Sequence, residues 1–80
     1  MRHVREDYER FQDPAGLIPK DEPVFLIRGR DLCAPVTLEH YASLVESRGG
    51  QKEWIRAVRT QARAMRSWQK TISPKMPDMP

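Results

Sequence analysis

The sequence predicts a mainly α protein: an antiparallel helical hairpin over about residues 32–48 and 52–70, with a short N-terminal helix and one strand-like segment over 23–30. Three observations carry that reading. Leu38, Tyr41, Ala42 and Val45 recur with a helical period, as do Ile55, Val58, Ala62, Met65 and Ile72 further on. Between the two stripes, Gly49-Gly50 supplies a residue able to take the left-handed conformation that closes helices. Ahead of them, Pro23 to Arg30 is rich in Val, Phe, Leu and Ile and reads as a strand.

Taken in order, Val4, Tyr8 and Phe11 sit at i, i+4 and i+7 and predict a short amphipathic helix over about 2–12, ended by Asp13-Pro14. Asp13 to Pro23 holds three prolines, a glycine and several charges, and reads as a connector. In the strand, alternation sets Val24, Leu26, Arg28 and Arg30 on one face and Phe25, Ile27 and Gly29 on the other. Asp31 is the expected N-cap of the first hairpin helix, with Pro35 tolerated only near its start. After Ile72 the tail SPKMPDMP is proline-rich and is expected to be extended or disordered. The organisation expected is therefore 1–22 as N-terminal helix and connector, 23–72 as strand and hairpin, and 73–80 as tail.

Eighty residues make one small domain, and a chain of that size is marginally stable by itself. Disulfide and metal support are poorly supplied: Cys33 is a single thiol, and His3 and His40 lie far apart. One thiol without a disulfide framework fits a reducing, cytoplasmic setting. The opening residues MRHVREDYER contain no apolar core of a secretory signal, and the longest strongly apolar run, Val24 to Ile27, is too short to cross a bilayer. No membrane role is expected. A lone apolar strand also lacks a partner within the chain and would be an aggregation hazard. A homo-oligomer is expected, joined through 23–30 or through the outer apolar edge of the hairpin.

The net charge of +3 is unevenly spread. Residues 51–80 hold seven cations against Glu53 and Asp78, whereas 1–31 and 32–50 are each slightly acidic. Lys52, Arg56, Arg59, Arg63, Arg66 and Lys70 recur at steps of 4, 3, 4, 3 and 4. On a helix they occupy a sector of about 80° and a length of roughly 27 Å. Solvated helix faces usually interleave the two signs, so an almost acid-free stripe points to an anionic ligand unless acids of the same protein neutralise it. Arg28 and Arg30 flank a flexible glycine beside a helix start, a good oxyanion clamp because each guanidinium presents a forked donor geometry. The plainer reading is a bend at Gly29, a cap at Asp31 and arginines that are solvated or paired with Glu39 or Glu46. Cys33 and His40, seven apart, would stand about 10 Å apart along a helix, too far for a thiolate–imidazole pair. Trp54 and Trp68 lie on one side of the basic helix and suit either base stacking or anchoring of the helix into its hairpin partner or an oligomer interface. No catalytic, metal-binding or cofactor-binding signature accompanies these residues, and no established nucleic-acid-binding motif is present.

DEPVFLIRGRD over 21–31, Ala34-Pro35, Gly49-Gly50, then Ala62, Met65 and Trp68 before the Lys75, Pro77-Asp78 and Pro80 ending together resemble a group of small, uncharacterised bacterial and phage proteins. That group carries an EPVFLLR-type strand, a Gly-Gly helical hairpin and a short Lys/Pro/Asp tail. The resemblance covers about residues 21–80 and supplies no activity. Relatives tend to have mixed charges where this chain has Arg63 and Arg66. The functional expectation is a non-enzymatic binding protein in which Arg28, Arg30, Arg56, Arg59, Arg63 and Arg66 surround a small phosphorylated anion at an oligomer interface. From the phage resemblance alone, it would sequester a nucleotide immune signal of the host. The competing expectation is an adaptor or inhibitor whose basic helix lies on nucleic acid or on an acidic host protein.

Overall fold

The computed structural model describes residues 1–8 and 13–76. The fold is mainly helical, as the sequence predicts, with α1 (Ala34–Ser47) and α2 (Lys52–Gln69) packed as a hairpin. The chain divides into two compact units, Met1–Ile27 and Arg28–Pro77.

In the second unit, α1 starts where the sequence allows. Pro35 sits in the first turn, where a missing N–H costs nothing. Asp31 stands two residues ahead of the helix boundary residue Cys33, and its carboxylate accepts the Cys33 N–H at 2.7 Å. It therefore acts as the head of an Asx turn leading into α1 instead of the helix cap itself. The other end closes as a Schellman turn. Gly49 adopts φ +74°, its N–H donates to the Glu46 carbonyl, and the Gly50 N–H donates to the Val45 carbonyl at 2.9 Å.

Ala42, Ile55 and Val58 form the buried centre of the hairpin, with Leu38 and Val45 packed on it and Ala62 also buried. Tyr41 departs from the expected seam. It remains 46% exposed on the flank of α1, where its hydroxyl accepts the indole N–H of Trp54 at 3.2 Å. A phenol held by a polar contact at its tip has no need of the dry seam. Beyond α2 the chain returns to the start of the unit. The Leu32 N–H donates to the Lys75 carbonyl and the Lys75 N–H to the Arg30 carbonyl, making a parallel bridge between Asp31 and Lys75. Residues 77–80 of the expected tail lie outside the described residues.

The first unit corrects the sequence reading. Arg2–His3 form a short strand, β1, paired in parallel with β2 (Pro23–Val24) in the register Arg2 to Pro23 and His3 to Val24. Only a single 3-10 turn, Glu6–Tyr8, represents the helix expected over 2–12, and residues 9–12, including Phe11, lie outside the described residues. A helix of that length is marginal alone, and the first residues gain backbone partners by pairing instead, with the Arg2 N–H donating to the Glu22 carbonyl at 2.7 Å. Tyr8 is buried under the Arg5 guanidinium, 4.8 Å from its ring centre, and beside His3. The strand expected over 23–30 is regular only at Pro23–Val24, because its partner β1 is two residues long, and the chain turns at Arg28–Asp31. The strand has a partner within the chain, so the premise that it must find one in another copy falls. Among the described residues no helix is long and apolar enough to cross a membrane.

Three substitutions test this packing. Ala62→Asp places a carboxylate in the seam, where Ala62 is 1% exposed, and is expected to lower stability by about 3 kcal/mol or more in urea denaturation. Wild-type stability in that variant would show the register to be wrong. Gly50→Ala is expected to cost more than Gly49→Ala. A Cβ at Gly50 runs into Cγ1 of Val45 and lies 3.1 Å from its carbonyl oxygen, whereas at Gly49 it meets open space and bears only the positive φ, worth about 1 kcal/mol.

Candidate anion-binding site

The six cations of the stripe, five on α2 and Lys70 at its end, fall into two groups once α1 is in place. Arg59 and Arg66 lie on the edge of the stripe nearest α1, and both are clamped across the hairpin. Arg59 donates to both carboxylate oxygens of Glu46, at 3.2 and 3.4 Å, and Arg66 donates Nε at 2.8 Å and a terminal nitrogen to Glu39. The Arg59 hydrogen bond and charge hold the Glu46 carboxyl below its ordinary value of 4.5. These two arginines serve the hairpin, tying α1 to α2 in one register. Arg63 donates to the Thr60 hydroxyl at 3.0 Å, and Lys52, Arg56, Arg63 and Lys70 are exposed and meet no carboxylate among the described residues. The structure thus neutralises two cations of the stripe and leaves four open.

Arg28 and Arg30 stand apart from that stripe, on a turn that is unusually well held. The Asp31 N–H closes it on the Arg28 carbonyl at 3.0 Å. From α2, the Gln69 amide nitrogen donates to the carbonyls of Gly29 and Asp31, both at 2.8 Å. Gly29 backs onto Met65 and Trp68. Four backbone and side-chain bonds, counting that from Lys75 to the Arg30 carbonyl, therefore fix the main chain while both guanidiniums stay exposed and meet no carboxylate among the described residues. Arg28 and Arg30 pair with neither Glu39 nor Glu46; they are the solvated arginines of the plainer reading. Gln69 is the residue that reading the sequence missed. Its signal was a polar side chain in the apolar sector of α2, on the same face as Ile55 and Ala62.

Cys33 and His40 are both exposed. Trp54 and Trp68 are about half exposed, at 51% and 48%. Among the described residues no cluster of three or more His, Cys, Asp or Glu side chains is placed to hold a metal ion. Comparison of the chain with protein-family models, with curated proteins and with solved structures finds no match.

The clamp has a pH signature. Glu46 titrates low when folded, so its contribution to stability is present above 4.5 and is lost as the pH falls through the depressed value. Carboxyl NMR titration of Glu46 is expected to show a midpoint below 4.5 that returns to the ordinary range in Arg59→Gln. An unchanged midpoint in that variant would remove Arg59 as the cause.

Proposed function

We propose that this is a non-enzymatic binding protein that holds a small phosphorylated anion, a nucleotide in first place, through Arg28 and Arg30. The observation that carries the reading is the fixed turn: its backbone is tied to α2 and to Lys75, while its two guanidiniums keep their donors free of any described acid. A main chain already held in place lowers the ordering cost of meeting a phosphate, and each guanidinium matches the phosphate geometry with paired donors. Nothing about the turn asks for chemistry on the ligand, so binding itself is the function. On the resemblance to small phage proteins, the role of such binding is to sequester a nucleotide signal of the host.

A second reading has its own observation. Lys52, Arg56, Arg63 and Lys70 run along one exposed face of α2 for roughly 27 Å, longer than a small ligand and suited to an extended polyanion such as a nucleic-acid backbone or an acidic protein surface.

A thermal-shift screen of cyclic and linear nucleotides separates them. A nucleotide at one hundred times its dissociation constant is expected to add about 2.7 kcal/mol of stability. That gain should vanish in Arg28→Ala/Arg30→Ala and change little with salt. Binding through the α2 face instead weakens steeply with salt, with a slope approaching about −0.9 per duplex phosphate contacted, and is abolished by Arg56→Glu/Arg63→Glu. Arg56 and Arg63 are the clean positions for charge reversal, because reversing Arg59 would set two carboxylates together at Glu46. A flat screen over nucleotides, sugar phosphates and sulfate would dismiss the small-anion reading.

A further inference from the structure

We propose that a second copy of this chain completes the anion site, by pairing α2 with α2 antiparallel about a two-fold axis near Gln61. The identity of the ligand rests on the reading above, whereas the pairing stands on separate observations. On α2, Trp54, Ala57, Gln61, Ala64 and Trp68 recur at steps of 3, 4, 3 and 4. All five are exposed, none is charged, and the order of residue types is the same in both directions from Gln61. An isologous interface needs that self-complementarity. A two-fold axis at Gln61 sets Trp54 of each copy against Trp68 of the other, with the alanines between them allowing the helices to approach.

The position of this stripe fits the same conclusion. It is centred about 100° round α2 from the Ile55–Val58–Ala62 seam that packs on α1, close to the right angle at the corner of a four-helix bundle. Two hairpins joined this way have every neighbouring pair of helices antiparallel. Tyr41 and Leu44, 46% and 45% exposed on the adjoining flank of α1, then meet their counterparts. With the half-exposed tryptophans they leave on the order of 500 Å² of surface per copy, so a pair covers at most about 1,000 Å², the lower bound of a specific interface. The second unit needs that burial. Its only large aliphatic side chains buried among the described residues are Ile55 and Val58.

The pairing brings the arginine turn to a partner. Gly29 lies against Met65 and Trp68, at the end of α2 that meets the Trp54 end of the other copy. The hairpin register, Glu39 with Arg66 and Glu46 with Arg59, sets Arg48 level with the first turns of α2. Arg48 is exposed at the close of α1 and meets no carboxylate among the described residues. Each end of the dimer therefore gathers Arg28, Arg30 and Trp68 of one copy with Arg48 and Trp54 of the other. The three guanidiniums outnumber the acids at that end, Asp31, whose carboxylate accepts the Cys33 N–H, and Glu53 beside Trp54 of the other copy, so the assembled end keeps positive charge and favours an anion; two indoles beside them suit the base of a nucleotide. There are two identical sites, and each is incomplete in a single chain.

Sedimentation equilibrium of the full chain is expected to give twice 9.4 kDa. Ala64→Glu should halve the mass while far-UV circular dichroism stays helical, since Ala64 is exposed in one copy. In a Cys33→Ser background, Ala57→Cys and Ala64→Cys chains should cross-link with each other faster than with themselves, as only the antiparallel pairing allows. Binding is read with adenosine monophosphate by quenching of the chain's two tryptophans. Arg28→Ala/Arg30→Ala and Arg48→Glu should each abolish it, and mixing the two variants should restore about one quarter of the wild-type sites, because half the dimers then carry one intact end. A wild-type monomer, or an Ala64→Glu chain of unchanged mass, overturns the pairing. A mixture that stays inactive while the wild type binds overturns the shared site. A wild-type dimer that binds no adenosine monophosphate overturns the nucleotide site and leaves the pairing intact.

Discussion

Ala42 and Ala62, both essentially inaccessible, let α1 and α2 approach closely enough for Ile55 and Val58 to fill the space beneath Leu38 and Val45. Close approach is what makes the remaining features of the second unit possible. It brings Glu39 and Glu46 within reach of Arg66 and Arg59, and it presents Gln69 to the Arg28–Asp31 turn. Larger side chains at the two alanines would separate the helices and release all of these contacts together, because packed interiors respond to added volume by shifting backbone. The Gly49-Gly50 closure sets the same spacing from the end of the hairpin, since Gly50 has no room for a Cβ beside Val45.

Charge in this protein does two jobs. The acids of α1 take up the two arginines that face them, and exposed pairs of this kind contribute modestly to stability while specifying one register of the helices over its neighbours. Arg56 and Arg63 lie on the edge of the stripe away from α1, and Arg28 and Arg30 lie on the turn ahead of it, so these four meet no carboxylate among the described residues. Two groups of open cations result, one extended along α2 and one on a turn whose main chain is tied to α2.

The helical hairpin was legible because it rests on periodicity and on local turn chemistry. Apolar spacing marked both helices, and the two glycines marked the Schellman closure that joins them. The N-terminal segment was misread for a related reason. Val4, Tyr8 and Phe11 match a helical period, but a period over so few residues is a weak signal, and pairing with Pro23–Val24 across some twenty intervening residues leaves no local mark. The strand was likewise read as lacking a partner because that partner is two residues long. Tyr41 matched the apolar period of α1, yet its hydroxyl turned it to the flank, and only the position of Trp54 on the facing helix provides the donor.

At the site, the sequence alone determined which residues are cationic, that six of them share one face of a helix, and that Arg28 and Arg30 bracket a glycine ahead of α1. These follow from composition and from the fixed geometry of a helix, which hold wherever the helix is placed. Only the tertiary structure decided which cations remain open, because an ion pair between residues 13 or 27 positions apart depends on the register of α1 against α2. It alone decided that the Arg28–Asp31 turn is rigid, because the Gln69 amide reaches that turn from 40 residues away in the chain. Those contacts depend on the separation and rotation of two packed helices, and these are set by the small residues in the seam between them.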